Sequence, residues 1–118
     1  MNIPTEFQEA VEQNKIEKVK ALLINKKLDP SFNRNICIKY ASSEGYSEIV
    51  KILLKDDRVD PAWTKNYAIT AAYDNKHFDI VNLLWKDQRV KNTLQKDDIN
   101  LYNELIKKDK LKQKIEVF

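Results

Sequence analysis

The sequence predicts an all-α solenoid, in which helix-turn-helix units stack on one another. The first observation is that residues 29–59 recur in altered form as residues 60–90, a shift of 31. The second is that each unit carries two stretches of apolar residues at helical spacing, separated by a short turn. A fixed period of roughly 20–50 residues is typical of repeat proteins, in which each unit packs only on its neighbours.

The two units have the same residue type at twelve of their 31 positions, and Ile, Val, Leu or Ala stands at six of these. Shared apolar positions predict a core that continues from one unit to the next. The shared pairs include Asp29/Asp60, Pro30/Pro61, Asn35/Asn66, Ile38/Ile69, Ala41/Ala72, Ile49/Ile80, Val50/Val81, Leu53/Leu84 and Arg58/Arg89.

Each unit is predicted to contain two helices. The first places Ile38 and Ala41 at i,i+3 spacing, and the second forms an apolar stripe over residues 49–54. The link between them holds Gly45, the only glycine of the chain, where helices commonly end in a left-handed residue. Lys76 occupies the equivalent place in the next unit.

The segments that join the units are predicted to be extended and turned. Pro30 and Pro61 stop any helical continuation. Asn35 and Asn66 follow them and tolerate a left-handed backbone nearly as well as glycine.

We predict a single domain of four units with atypical ends, since the length of 118 residues is that of one domain. The first unit is predicted to open with Pro4 and a capping box of Thr5 and Gln8. The units are an N-terminal capping repeat (4–28), two repeats (29–59 and 60–90) and a C-terminal capping repeat (91–118).

The C-terminal capping repeat follows the common pattern only loosely. Leu101 and Leu105 predict a first helix, Asp109 a link, and Leu111 and Ile115 a short second helix. An irregular last unit is expected because the end of a stack has only one neighbour.

The composition describes a solvated helical surface, with 33% charged residues of both signs and a formal net charge of +3. The single cysteine, Cys37, cannot form an intramolecular disulfide, which favours a reducing compartment. No stretch has the length of a membrane-spanning segment, and the N-terminus lacks the features of a signal peptide. We expect a complete, monomeric, cytoplasmic protein, in its own cell or a host cell, without a membrane partner.

Residues 41–54 and 72–84 resemble the core of an ankyrin repeat, with the family pattern AAxxGHxEIVxxLL. The period of 31 is shorter than the family's, which is roughly 33. Residues 36–39 and 67–70 replace the family's Thr-Pro-Leu-His. The resemblance implies an ankyrin-repeat solenoid without the hydroxyl and imidazole that usually link neighbouring units. This variant is similar to divergent ankyrin repeats of large DNA viruses and some microbes.

Signatures of catalysis are nearly absent. A single glycine excludes phosphate-binding and dinucleotide-binding loops. Cys37 and His77 cannot by themselves build a zinc site, and the repeat frame places them at opposite ends of their helices. The Asp pairs at 56–57 and 97–98 fit loop solubility and helix capping better than acid–base catalysis. We predict no enzyme activity, metal, cofactor or small-molecule substrate.

Two loop aromatics stand at the same position of successive units and precede a cation. Phe32 comes before Arg34, and Trp63 before Lys65. Aromatic and cationic side chains are typical of interface hot spots. The alternative is that each ring folds back over the loop of the neighbouring unit. Trp85, in contrast, continues an apolar stripe and is predicted to be core.

Surface positions of the first helices differ between the two units, as a binding surface would. Unconstrained surface is the alternative explanation. The predicted partner-binding residues are Phe32, Arg34, Ile36, Ser43, Trp63, Lys65, Tyr67, Tyr73 and Asp74.

The favoured function is a non-enzymatic module that binds a folded protein partner through a concave face and its loops, as an inhibitor or an adaptor. An alternative uses the basic run at 107–114 to bind an anionic surface or nucleic acid. A third hypothesis is self-association through the last unit.

Overall fold

A computed structural model describes residues 2–117, with side-chain exposure described through Ile115. This part of the chain forms eight α-helices and no β-strand, which confirms the all-α prediction. The body is elongated, with extents of 53, 29 and 24 Å. The helices are α1 (Ile3–Glu12), α2 (Ile16–Leu23), α3 (Phe32–Glu44), α4 (Ser47–Leu54), α5 (Trp63–Asp74), α6 (Phe78–Trp85), α7 (Gln88–Asp97) and α8 (Ile99–Val117).

The helices stack in two rows. The first row consists of α1, α3 and α5, and the second of α2, α4 and α6, with each helix packed on its neighbours in the row. The chain passes between the rows through left-handed residues at Asn14, Gly45 and Lys76, where φ is 55°, 85° and 63°. These residues lie 31 apart, and the left-handed turn predicted at Gly45 is confirmed.

One apolar cluster runs through the stack, from Phe7 in α1 to Leu105 in α8. Ala41 and Ala72 are fully buried in adjacent helices of the first row. Such small side chains let helix axes approach to about 8–10 Å. Trp85 is only 6% exposed, which confirms that it belongs to the core.

The start of α3 and the start of α5 each contain three consecutive residues with left-handed, non-helical backbone. The φ angles are 52°, 56° and 57° over residues 33–35, and 58°, 52° and 59° over residues 64–66. The prediction for Asn35 and Asn66 is confirmed, but Asn33, Arg34, Thr64 and Lys65 share this conformation and were not predicted to do so. Left-handed backbone costs an ordinary residue about 1–2 kcal/mol, so tertiary contacts must stabilise both turns.

The predicted capping box at the N-terminus is wrong. Asn2 caps α1, and its Oδ1 accepts a hydrogen bond of 2.9 Å from the backbone N–H of Thr5. Gln8 instead donates to Glu12 within the helix. Pro4 lies at the second helical position, where a backbone N–H would have no partner within the helix, so its missing N–H costs nothing. The next free amide is that of Thr5, and the side-chain oxygen of Asn2 satisfies it.

Helix α7, which was not predicted, occupies the place that the connecting loops take in the two central units. Asp87 caps α7 by accepting a hydrogen bond of 2.9 Å from the backbone N–H of Arg89. A shift of 31 from Pro61 arrives at Asn92, so no proline prevents the helix from continuing.

The link predicted at Asp109 is wrong as well. Helix α8 runs as one element through Asp109 and past Leu111, where a second helix was predicted to begin. Residues 99–117 contain neither glycine nor proline, so no residue there favours a break.

Candidate functional site

Asp-Arg pairs join neighbouring units at the segments that follow the second-row helices. Arg58 donates from Nε and Nη2 to Asp56, at 3.0 and 2.8 Å. Its Nη1 donates to the backbone carbonyl of Leu28, in the preceding unit, at 2.6 Å. Arg89 makes the same contacts one unit later and donates to the Val59 carbonyl at 2.6 Å. These bonds link units that lack the usual hydroxyl and imidazole.

The carboxylates of these pairs are held in their ionised form. Side-chain hydrogen bonds from Arg58 lower the pKa of Asp56, and those from Arg89 lower the pKa of Asp87. The backbone N–H of each arginine donates to the same carboxylate, at 3.0 and 2.9 Å. Each carboxylate therefore orients the guanidinium toward the carbonyl of the preceding unit.

Buried asparagines provide a second connection between units. The Oδ1 of Asn35 accepts a hydrogen bond of 2.9 Å from the backbone N–H of Asp60, in the next unit. Asn66 instead donates to Thr93 and Asp97, at 2.7 and 2.8 Å, because α7 replaces the following loop. Its buried Oδ1 has no hydrogen-bond partner among the described residues. The last unit is therefore attached differently from the central ones.

A groove runs across the first row of helices. One cavity of about 230 Å³ lies between α1 and α3, and another of about 230 Å³ lies between α3 and α5. Because Ile36 and Tyr40 line both cavities, the two form one surface, here called the inner-helix groove. Its lining residues are Gln8, Val11, Glu12, Ile36, Cys37, Lys39, Tyr40, Ser43 and Tyr67.

The inner-helix groove is acidic at one end and basic at the other. Glu12 lies on the α1 side. On the α5 side, the Nζ of Lys39 donates to Thr64 at 3.3 Å and lies 5.7 Å from the ring centroid of Tyr67. Burial raises the pKa of Tyr40 above the ordinary tyrosine value, which itself lies well above pH 7, so the hydroxyl is protonated and can donate a hydrogen bond. The groove thus combines apolar surface, two tyrosines and charges of both signs.

Three of the predicted partner-binding residues, Ile36, Ser43 and Tyr67, line the inner-helix groove. The side-chain amide of Asn75 donates to the carbonyl and hydroxyl oxygens of Ser43, at 3.1 and 3.3 Å. Tyr67 is 46% exposed, so its ring is accessible to a ligand.

Gln8, Glu12, Lys39 and Tyr40 also line this surface and were not among the predicted residues. Lys39 and Tyr40 follow Ile36 by three and four residues, and side chains at this spacing share a helix face. The helical period around Ile36 could therefore have identified both. The α1 residues depend on how neighbouring units pack, which local spacing does not show.

The two loop aromatics have different environments. Phe32 is half-buried and packs against the core. Trp63 is 47% exposed, and Arg34 and Lys65 are exposed as well. Trp63 directly precedes Thr64, the hydrogen-bond partner of the groove residue Lys39, so it stands next to the inner-helix groove in the chain. The two equivalent positions therefore differ in role. Phe32 covers the core, whereas Trp63 is open surface.

Tyr73 and Asp74 lie at the opposite end of α5 from Trp63. The Tyr73 hydroxyl donates to Glu104 of α8 at 2.6 Å, and this hydrogen bond raises the pKa of Tyr73. Its ring meets Phe78 edge-on, with centroids 5.8 Å apart. Tyr73 therefore connects α5 to α8, whereas Asp74 is exposed.

Cys37 and His77 are not brought together. Burial raises the pKa of Cys37 to about 12, so its thiol stays protonated and is a poor nucleophile. The His77 ring packs against Gly45, where an added Cβ would lie 2.7 Å from the ring Cε1. Gly45 follows Cys37 by eight residues, about 12 Å of helix, so no Cys–His dyad forms. The described residues contain no cluster of His, Cys, Asp or Glu suited to a metal ion.

Comparison with known proteins gives one match. The family model for ankyrin repeats, in three copies, matches residues 7–103. No curated protein and no solved structure matches the chain. Within residues 2–117, no helix combines the length and apolar character needed to cross a lipid bilayer.

Proposed function

This chain belongs to the ankyrin-repeat family, and we propose that it binds a folded protein partner through the inner-helix groove and the adjoining loop at Trp63. Ankyrin repeats are generally modules of protein–protein interaction. The observation that carries the proposal is the groove, which runs across two helix boundaries and places aromatic, apolar and charged side chains on one surface.

The groove is formed before any partner arrives. Its helices are held by the buried core, and the bond from Arg58 to the Leu28 carbonyl joins the segments that precede α5 and α3. Binding to a rigid surface avoids much of the entropy cost of ordering side chains and loops. The groove and loops can therefore supply a standard interface of about 800 Å² per partner.

The α5 end of the groove has the chemistry of a hot spot. Tyr67 and Trp63 are each about half exposed, and Lys39 lies near the Tyr67 ring. Aromatic residues near cations contribute much of the affinity at protein interfaces. A partner with an acidic residue beside an apolar anchor fits this end, because Lys39 supplies the opposite charge.

The family is typically non-enzymatic, and we propose that this member acts by binding alone, as a monomer in the cytoplasm. A chain of 118 residues in one stack can cover a partner's functional site or bring two proteins together. It would thus act as an inhibitor or an adaptor.

The experiment first identifies a partner by affinity capture and then measures its affinity for three forms by isothermal titration calorimetry. The groove variant is Lys39→Glu/Tyr67→Ala. The matched control, Lys18→Glu/Ile24→Ala, makes a similar change on exposed residues of the second row. We expect at least about tenfold weaker binding for the groove variant alone. Equal affinity of both variants would contradict the proposal.

A further inference from the structure

We propose that a pocket at the C-terminal end of the stack binds a small ligand carrying two or more phosphate groups. The pocket lies between α6, α7 and α8 and has a volume of about 330 Å³. It is separate from the inner-helix groove, which α1, α3 and α5 form. The residues that carry the proposal are Lys86, Lys91, Lys108, Asp109, Lys112 and Trp85.

Positive charge is concentrated in this pocket. Four lysines and one aspartate give a formal charge of +4 − 1 = +3, which equals the net charge of +3 for the whole chain. Charged residues elsewhere in the chain therefore balance. Lysines dispersed over the surface would be enough for solubility. Lysines gathered around one cavity repel each other until an anion offsets their charge, so solubility does not explain this arrangement.

The lysines come from three different helices. Lys86 follows the last residue of α6, where a cation is favoured by the helix dipole. That local explanation does not extend to Lys91 of α7 or to Lys108 and Lys112 of α8. Lys108 and Lys112 are also four residues apart on one helix face, an arrangement that weakly destabilises the helix. Their convergence on one cavity points to an anionic ligand.

Trp85 and Asp109 form the wall of the pocket. The indole Nε1 of Trp85 donates to Asp109 Oδ2 at 2.8 Å, and the Nζ of Lys91 lies 5.3 Å from the Trp85 ring centroid. Because Lys91 covers one face of the indole, that face is not free to stack on a ligand. Ammonium groups bind phosphate as compact point charges, and a net charge of +3 matches a ligand with several phosphates better than a single carboxylate.

Trp85 provides a direct readout of binding. The chain contains two tryptophans, and Trp63→Phe leaves Trp85 as the only indole. In this background, inorganic tripolyphosphate and ATP are titrated separately at physiological ionic strength, and Trp85 fluorescence is recorded. We expect a saturable change. Equal affinity for both probes would assign recognition to phosphate alone, and tighter binding of ATP would add a nucleoside contact.

Paired variants separate a pocket from general attraction to a basic helix. Lys91→Gln/Lys112→Gln removes two pocket charges and is expected to weaken tripolyphosphate binding at least about tenfold. Lys110→Gln/Lys114→Gln removes two exposed charges of α8 outside the pocket and should change affinity less than about twofold. Circular dichroism checks that both variants keep the helical fold.

Asp109→Asn tests whether the charge of Asp109 affects phosphate binding, which a purely structural role for this residue would not predict. Asparagine keeps a side-chain oxygen for the Trp85 indole and removes the one negative charge among the described residues that line the pocket. We expect tripolyphosphate to bind several-fold more tightly. Unchanged affinity in this variant, no saturable binding, or equal losses in the two lysine pairs would overturn the proposal.

Discussion

Arg58 hydrogen-bonds the backbone carbonyl of Leu28 in the preceding unit, with 2.6 Å between Nη1 and the oxygen. Arg89 and Val59 stand in the same relationship one unit later. In both units an aspartate two residues before the arginine holds the guanidinium in place. The Asp-x-Arg sequence is thus a connection between units.

Removing this connection should destabilise the stack. Arg58→Ala leaves the Leu28 carbonyl without its charged donor and frees Asp56. We expect a loss of about 1–2 kcal/mol in the free energy of unfolding, toward the lower range for charged hydrogen bonds because Arg58 is partly exposed. Urea denaturation measures it. Arg34→Ala, at an exposed arginine, is the control, and equal midpoints for the two variants would contradict this role.

The same connection should depend on pH. The folded-state pKa values of Asp56 and Asp87 lie below their unfolded values, which are about 3.9. Their contribution is therefore fully present above about pH 5 and is lost as pH falls through the lower folded values. Asp56→Asn/Asp87→Asn should be less stable than wild type at pH 7, and the difference should shrink below about pH 4. A difference in urea midpoint that stays constant down to pH 2.5 would exclude this linkage.

Gly45 should resist substitution for two separate reasons. Its φ of 85° disfavours a Cβ, and the His77 ring would lie 2.7 Å from that atom. We expect Gly45→Ala to cost more than about 1 kcal/mol in urea denaturation. In Gly45→Ala/His77→Ala the ring that would clash with the new Cβ is gone, and only the cost of the left-handed backbone remains. The double variant should therefore recover part of the stability that Gly45→Ala loses. Strict additivity of the two single changes would show that His77 does not restrict this site.

Equivalent loop residues should give opposite results. Trp63→Ala/Lys65→Ala removes exposed side chains and should leave the free energy of unfolding within about 0.5 kcal/mol, while weakening partner binding. Phe32→Ala/Arg34→Ala removes a ring that packs against the core and should cost about 1–2 kcal/mol. Urea denaturation and calorimetry on all three proteins test the contrast. Unfolding of the Trp63 variant would assign that ring to the core instead.

The period and the apolar pattern predicted much of the fold from the sequence. Recurrence of Ile38 as Ile69 and of Ala41 as Ala72 predicted the buried face of the first helices, and the single glycine predicted a turn at Gly45. These signals are local and repeat with the period, so the sequence displays them directly.

Other features depended on single residues or on distant partners. Helix α7 can form because position 92, which is equivalent to Pro61 of the preceding unit, holds asparagine instead of proline. The repeat pattern is loose after Val90, so this difference was not obvious from the sequence. The left-handed backbone at Arg34 goes against its own preference, and the bond between units at this turn comes from the neighbouring Asn35, which accepts from the backbone of Asp60. Tyr40 became part of a candidate site only when the packing of α1 and α5 around it was known.

Chemical-shift mapping by NMR tests the proposed binding surface most directly. The isotope-labelled chain is titrated with the captured partner, and amide shifts are compared across the two rows of helices. We predict that the largest changes cluster at Ile36, Lys39, Ser43 and Tyr67, along the inner-helix groove. Changes confined to α2, α4 and α6 would contradict the account.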